Sequence, residues 1–184
     1  MYQRLKMILI YPPAAKLSEP PAGIARLAGA LRMHGISCTS IDTNYESFIY
    51  LYAKELNPED TWTRRAFKNR SENLLSLQSD AAYKNIGKYK RAVSDINRIL
   101  SKSTESGNPI ITLSNYRDTT LSPLKTMDLI WSAEHPETNV YYPYFSKRLT
   151  DLYHTSHDKT FGFSINYLNQ ALCAFAMIGF LKKL

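Results

Sequence analysis

The opening 42 residues constrain this chain more than any other part of it. Lys6 to Tyr11 (KMILIY) is a short apolar run closed by Pro12-Pro13, two residues that cannot continue a hydrogen-bonded ladder, and it predicts a buried strand. A loop from Ala14 to Ala22, with Pro20-Pro21 inside it, leads to Ile24, Leu27, Ala28 and Leu31. Their i, i+3, i+4, i+7 spacing is the apolar stripe of a helix. Gly35 supplies the stop, since glycine turns left-handed at a helix C-terminus without a Cβ clash, and His34 before it suits the negative end of the helix dipole. Ser37 to Asp42 alternates only weakly. Following a strand, a loop and a helix, however, it is expected as the parallel partner that completes a β-α-β unit.

A second strand and helix are expected from Thr160 to Ile165 and from about Leu168 to Lys183. The outline is α/β, a Rossmann-like (flavodoxin-like) doubly wound parallel sheet. The stretch Ala171 to Leu181 is apolar on every side and needs cover all round. Three strands are fewer than the roughly five or six of such a sheet. The sheet is therefore expected to be incomplete at the C-terminus, with its remaining strands, or a second copy forming a homodimer along the unfinished edge, supplying the cover. The expected organisation is 1–44 as the first β-α-β unit, 45–158 as a mainly helical insertion, and 159–184 as the third strand and its helix.

Within the insertion, Tyr83, Ile86, Tyr89, Val93, Ile96 and Leu100 recur at threes and fours and predict a long helix. Segments 45–56 and 146–155 read as helical, and Ile110 to Leu113 as a short extended piece. Asn108-Pro109, Ser122-Pro123, His135-Pro136 and Tyr142-Pro143 read as turns. The net charge of +7 is local, because residues 64–102 hold ten Lys and Arg against three acids while the rest of the chain balances. Such a run can serve nucleic acid or an acidic partner, but a solvated helical face is the ordinary reason for one, and nucleic acid is not the expected partner.

Two isolated cysteines, Cys38 and Cys173, indicate neither a disulfide framework nor a thiolate metal site, and a reducing cytoplasm is the expected compartment. The longest apolar run, Ala171 to Leu181, is shorter than the roughly 18–20 residues that span a bilayer, so no membrane segment is expected. No G-x-G-x-x-G follows the first strand and no G-x-x-x-x-G-K-[ST] occurs, which removes the usual nucleotide fingerprints. Gly162-Phe163-Ser164-Ile165-Asn166 begins like a G-x-S-x-G nucleophile elbow, but Asn166 stands where the second glycine permits the tight turn, and no histidine follows. His154 and His157, three apart beside Asp151 and Asp158, read as polar residues at a helix end, because they lack a third strong ligand.

Ligands of open α/β sheets bind beyond the carboxyl ends of the strands, where successive connections diverge. That selects three loops, Tyr11 to Gly23, Asp42 to Tyr45 and Ser164 to Asn169. Within them Pro12, Pro13, Ala14, Ala22, Gly23, Asp42, Asn44, Ser164 and Asn166 are the candidate cofactor-binding residues. The first loop offers a proline-braced wall with small residues at a helix N-terminus, where backbone N–H groups can face an anion or an amide. No catalytic residue and no metal ligand is expected.

The run Ile8-Leu9-Ile10-Tyr11-Pro12-Pro13, the segment Pro21 to Leu31 (PAGIARLAGAL), and Gly35 followed by the strand to Asp42 resemble the N-terminal domain of cobalamin-binding-type radical SAM proteins. Phe161 to Gln170 (FGFSINYLNQ) is similar to their third strand and loop, while the insertion is outside the resemblance. The resemblance implies an accessory domain that is not catalytic alone and contributes cofactor or substrate contacts. Its partner would be a radical SAM barrel elsewhere in a parent enzyme, holding a [4Fe-4S] cluster and S-adenosylmethionine on a C-x-x-x-C-x-x-C motif that does not occur here. It also implies cobalamin as the cofactor. Members that replace its lower base use Asp-x-His-x-x-Gly after the first strand. Here that place reads Tyr11-Pro12-Pro13-Ala14-Ala15-Lys16, so no histidine can reach the cobalt from it.

Overall fold

A computed structural model describes residues 6–104, 107–155 and 160–184. The chain divides into two compact units, one formed by Met1–Phe48 with Thr120–Leu184 and the other by Ile49–Thr119.

The first unit is α/β, built on a three-stranded parallel sheet. Strands β1 (Lys6–Tyr11), β2 (Ser37–Asp42) and β5 (Thr160–Phe163) lie in the order β2-β1-β5. The central strand pairs with both neighbours, Lys6↔Ser37 through Tyr11↔Asp42 on one side and Met7↔Thr160 through Ile10↔Phe163 on the other. The residues Ile8, Leu9, Ile10 and Tyr11 are all buried, as expected of a central parallel strand covered on both faces. Leu9 and Tyr11 pack with Ile24 and Ala28 of α1 (Ala22–Met33). Gly162 lies opposite Leu9, where an added Cβ would come within 2.9 Å of the leucine Cδ2, so the glycine makes room for the core side chain. The helix α1 ends as its sequence requires. Gly35 has φ of +72°, its N–H donates to Arg32 O, and Ile36 N–H donates to Leu31 O, which together form a Schellman cap.

The long apolar helix α9 (Gln170–Lys183) finds part of its cover inside this unit, while Phe175, Ile178, Phe180 and Leu181 stay half-buried. Helix α7 (Thr126–Glu134) packs along it so closely that an added Cβ on Gly179 would sit 1.8 Å from the carbonyl oxygen of Ala133. Ser132 Oγ donates to Leu172 O at 2.8 Å. On another side Tyr142 and Phe145 of α8 (Tyr142–Thr155) meet Phe180 edge-on at 5.9 and 6.1 Å. A one-turn 3-10 helix, Pro136–Thr138, joins α7 to α8. Helix α8 is tied in turn to the first turn of α2 (Thr43–Ala53), since Arg148 and Tyr144 both hydrogen-bond Glu46.

Residues 120–155, expected within an insertion of 45–158, thus lie with the sheet, because the all-round apolar helix draws α7 and α8 onto itself. Tyr142-Pro143, expected as a turn, opens α8. Proline is favoured in the first helical turn, where its missing N–H would have had no partner.

The second unit is helical, with α3 (Thr61–Lys68), α4 (Arg70–Leu77), α5 (Asp80–Tyr83) and α6 (Ile86–Lys102). Asp60 caps α3, its carboxylate accepting from Thr63 N–H at 2.7 Å and Thr63 Oγ1 at 2.6 Å. The buried face of α6 is Ala92, Asp95, Ile96, Ile99 and Leu100. Tyr83 and Ile86, expected on the stripe, are instead 63% and 64% exposed, since Tyr83 ends α5 and Ile86 opens α6 well ahead of its first buried residue, Ala92. The extended piece expected at Ile110 to Leu113 is shorter. Strand β3 (Ile110–Ile111) pairs antiparallel with β4 (Tyr116–Arg117), and Thr112 turns the chain by accepting the N–H groups of Ser114 and Asn115 on Oγ1.

Candidate functional site

In the order β2-β1-β5, the connections leaving β1 and arriving at β5 lie on opposite sides of the central strand, so the site rule points to the carboxyl end of β1. The three loops selected by sequence meet there. Ala15 N–H donates to Asn44 Oδ1 at 3.0 Å, Thr43 Oγ1 donates to Tyr11 O at 2.7 Å, and Ser164 N–H donates to Ile10 O at 2.9 Å.

The centre of the arrangement is Gln170, a fully buried residue that sequence reading passed over. Its Nε2 donates to Pro12 O at 2.7 Å, while its Oε1 accepts Asn166 N–H at 2.9 Å and Tyr167 N–H at 3.1 Å. One carboxamide therefore joins the loop after β1 to the loop after β5. The available signal was a glutamine at the head of an otherwise apolar run, a polar group that is buried only if its hydrogen bonds are met.

The expected residues take distinct places. Pro12 and Pro13 are buried, and Ala14 follows with φ of +78°, the left-handed region that a non-glycine residue enters at a cost. Ala22, exposed, opens α1. Gly23 lies under Asn166, with the carboxamide 2.9 Å from where a Cβ would stand. Asp42 is half-buried at the end of β2, where its carboxylate accepts Tyr45 N–H at 2.9 Å and so caps α2, which begins at Thr43. Burial raises the pKa of that carboxyl against the opposing effect of the capping N–H groups. Asn44 is buried and committed to Ala15. Ser164 is buried, and its hydroxyl lies 3.5 Å from Asn166 Oδ1, an amide oxygen where a hydrolase would need an imidazole.

Three further side chains complete the site. The Tyr11 hydroxyl is hydrogen-bonded to the Asn166 carboxamide. Its pKa is pushed up to about 12, first by burial and then by Tyr167, Asp42 and Glu19 nearby, so the phenol keeps its proton at neutral pH. Tyr167 donates its hydroxyl to Glu19, which also pairs with Lys16 at 3.0 Å. This links the outer parts of the first and third loops. The hydrogen bond from Tyr167 is the main cause holding the Glu19 carboxyl below its ordinary value.

Among the described residues no group of three His, Cys, Asp or Glu side chains converges as a metal site. His154 is exposed against the Tyr153 ring, and His157 lies outside the described residues. Neither Cys38 nor Cys173 is joined in a disulfide. The groups gathered at the strand ends are carboxamides, backbone amides, the neutral Tyr11 phenol and the Asp42 and Glu19 carboxylates, with Lys16 paired to Glu19. Among the described residues no helix is long and apolar enough to cross a membrane. No protein-family model, curated protein or solved structure matches the chain.

Proposed function

We propose that the first unit is a binding domain of the cobalamin-binding type, the accessory part of a radical SAM enzyme, which binds and orients and has no catalytic step of its own. The observation that supports this reading best is the junction of three loops at the carboxyl end of the central parallel strand, held by Gln170 and bearing an exposed carboxamide, Asn166. In this reading the corrin lies across the strand ends, held through its rim by Asn166 and by the main chain of residues 13–16, without a histidine. Gln170 fixes the spacing of the loops, and Tyr11 stays protonated beneath them. The corrin, when bound, supplies a cobalt centre able to carry a methyl group, and the cluster and S-adenosylmethionine belong to the barrel of the parent.

Titration with hydroxocobalamin, followed by gel filtration and visible absorbance, tests the reading. Pigment is expected to co-elute with the protein, and Asn166→Ala is expected to weaken its retention while leaving the far-UV circular dichroism unchanged. Elution free of pigment would leave an α/β scaffold used for another ligand.

A second reading rests on the helical unit, where Arg64, Lys68, Lys84, Lys88, Lys90, Arg91 and Lys102 are exposed. It makes that unit a face for nucleic acid or an acidic partner. Binding to such a partner would weaken steeply with added salt, as counterion release requires.

A further inference from the structure

The corner of the helical unit where α4 ends, α5 follows and α6 begins carries exposed apolar side chains and unneutralised basic ones together. Leu75 in the last turn of α4, Tyr83 at the end of α5 and Ile86 at the start of α6 are 65%, 63% and 64% exposed. The Tyr83 hydroxyl donates to Leu77 O at 2.9 Å, and its ring lies 5.5 Å from that of Tyr89. The tyrosine is thereby fixed between the end of α4 and the first turn of α6. Single exposed apolar side chains are ordinary, but several large ones at one corner mark a contact surface.

The charges at this corner differ from those in the rest of the unit. Lys84, Lys88, Lys90 and Arg91 are the only charged residues from Ala81 to Ser94, and all four are exposed. Among the described residues none of the four is in an ion pair, and the flanking acids Glu72 and Asp80 pair with none of them. Arg65, Arg70 and Arg98, by contrast, are each paired, with Asp95, Glu55 and Asp60 at 3.1, 3.2 and 2.8 Å. The unneutralised positive charge is thus gathered beside the exposed apolar side chains, with Lys90 one helical turn from Ile86 on the same face of α6.

That combination selects the partner. An anionic lipid surface offers an apolar layer that side chains can enter and, above it, negative headgroups for the basic residues. A tyrosine ring suits the boundary layer, and lysine stems lie along apolar surface while their heads stay in water. Nucleic acid would use the four basic residues, but its phosphates give Leu75 and Ile86 nothing to bury against.

We propose that this corner attaches the chain to an anionic lipid surface without crossing it, Leu75, Tyr83 and Ile86 entering the headgroup layer and Lys84, Lys88, Lys90 and Arg91 meeting its negative groups. The attachment rests on the second reading, of a basic face for an acidic partner, and is independent of the corrin reading, since every residue in it belongs to the helical unit.

The test is co-sedimentation of the whole chain with vesicles of phosphatidylcholine alone and of equal parts phosphatidylcholine and phosphatidylserine. The chain is expected to sediment with the mixed vesicles, to stay in solution with the neutral ones, and to be released by added salt. Ile86→Ser is expected to weaken binding about tenfold, and Lys84→Gln or Lys90→Gln about fivefold each, with the far-UV circular dichroism unchanged. Lys102→Gln, about 24 Å away at the far end of α6, is expected to change nothing. Fluorescence anisotropy with labelled duplex DNA separates the partners, because Lys84→Gln and Lys90→Gln would weaken binding to either, whereas Ile86→Ser would weaken binding to lipid alone. The proposal is overturned if the mixed vesicles do not retain the chain, or if Ile86→Ser or the two lysine variants bind them undiminished. Binding to DNA without binding to vesicles would overturn it while upholding the second reading.

Discussion

Replacing Gln170 by methionine, unbranched and of similar length, removes three hydrogen bonds while keeping most of the packing. The three partners do not suffer equally. Asn166 and Tyr167 are exposed residues whose N–H groups can turn to water, and each loses only the net worth of a hydrogen bond, about 0.5–1 kcal/mol. Pro12 is buried, and its carbonyl, losing Nε2 at 2.7 Å, bears the heavier cost of an unmet acceptor, about 1–3 kcal/mol. Burying a thioether where an amide stood returns about 1 kcal/mol. The balance is a loss of about 2 kcal/mol. With a urea dependence of about 2 kcal/mol per M for a chain of this size, the unfolding midpoint should fall by about 1 M. Hydrogen exchange should report the same change locally, with the amides of Asn166 and Tyr167 losing protection ahead of those in β1. An unchanged midpoint together with unchanged protection at these two amides would refute the idea that Gln170 joins the loops.

Gly179→Ala and Gly29→Ala form a matched pair. An alanine at 179 must push the α7 backbone aside and should destabilise by at least about 2 kcal/mol despite its better helix propensity, whereas at the open position 29 it should stabilise by about 0.5–1 kcal/mol. Equal effects of the two on the urea midpoint would contradict the close α7 and α9 packing. The helical unit should be acid-sensitive through Asp60, whose pKa is depressed by its bonds to Thr63 and Arg98. A depressed folded pKa gives stability that is present above the ordinary value of 3.8 and is lost as pH falls through it toward the folded value. Asp60→Asn, which keeps the cap but loses the charge opposite Arg98, should show a shallower loss of ellipticity over that range. An unchanged acid limb would count against it. Asp42 carries the opposite sign, because its raised pKa means that protonation favours the folded form.

Much of the first unit was legible because its signals are local. A run of buried β-branched and aromatic residues closed by two prolines can be little other than a central strand, and β1 covers Lys6–Tyr11 as read. Gly35 gave the end of α1 for the same reason, since only a left-handed residue completes that cap. The rest depended on partners distant in sequence. The apolar surround of α9 was visible, but not that α7 and α8 supply part of its cover, because α7 alone shows little of a stripe. Gln170 was missed because a glutamine before an apolar helix looks like an ordinary first-turn residue until Pro12 is placed beside it. Asp42, read as a ligand contact, also caps the helix that starts at Thr43, a second role that sequence position alone did not reveal.

The first unit is interrupted in sequence, since its sheet needs Met7 beside Thr160 and its loops need Pro12 beside Gln170. On a ribosome this sets an order of events. The first β-α-β segment emerges early with one long edge of its central strand unpaired, and it stays so while the whole of Ile49–Thr119 is made. The helical unit, whose bonds such as Trp62 to Asp95 and Arg98 to Asp60 all lie within the unit, can fold during that interval, whereas the sheet must wait for a distant strand. The nascent protein therefore passes through a stage in which its most apolar strand is open to wrong pairing. A chaperone acting before residue 160 has emerged would be guarding that strand.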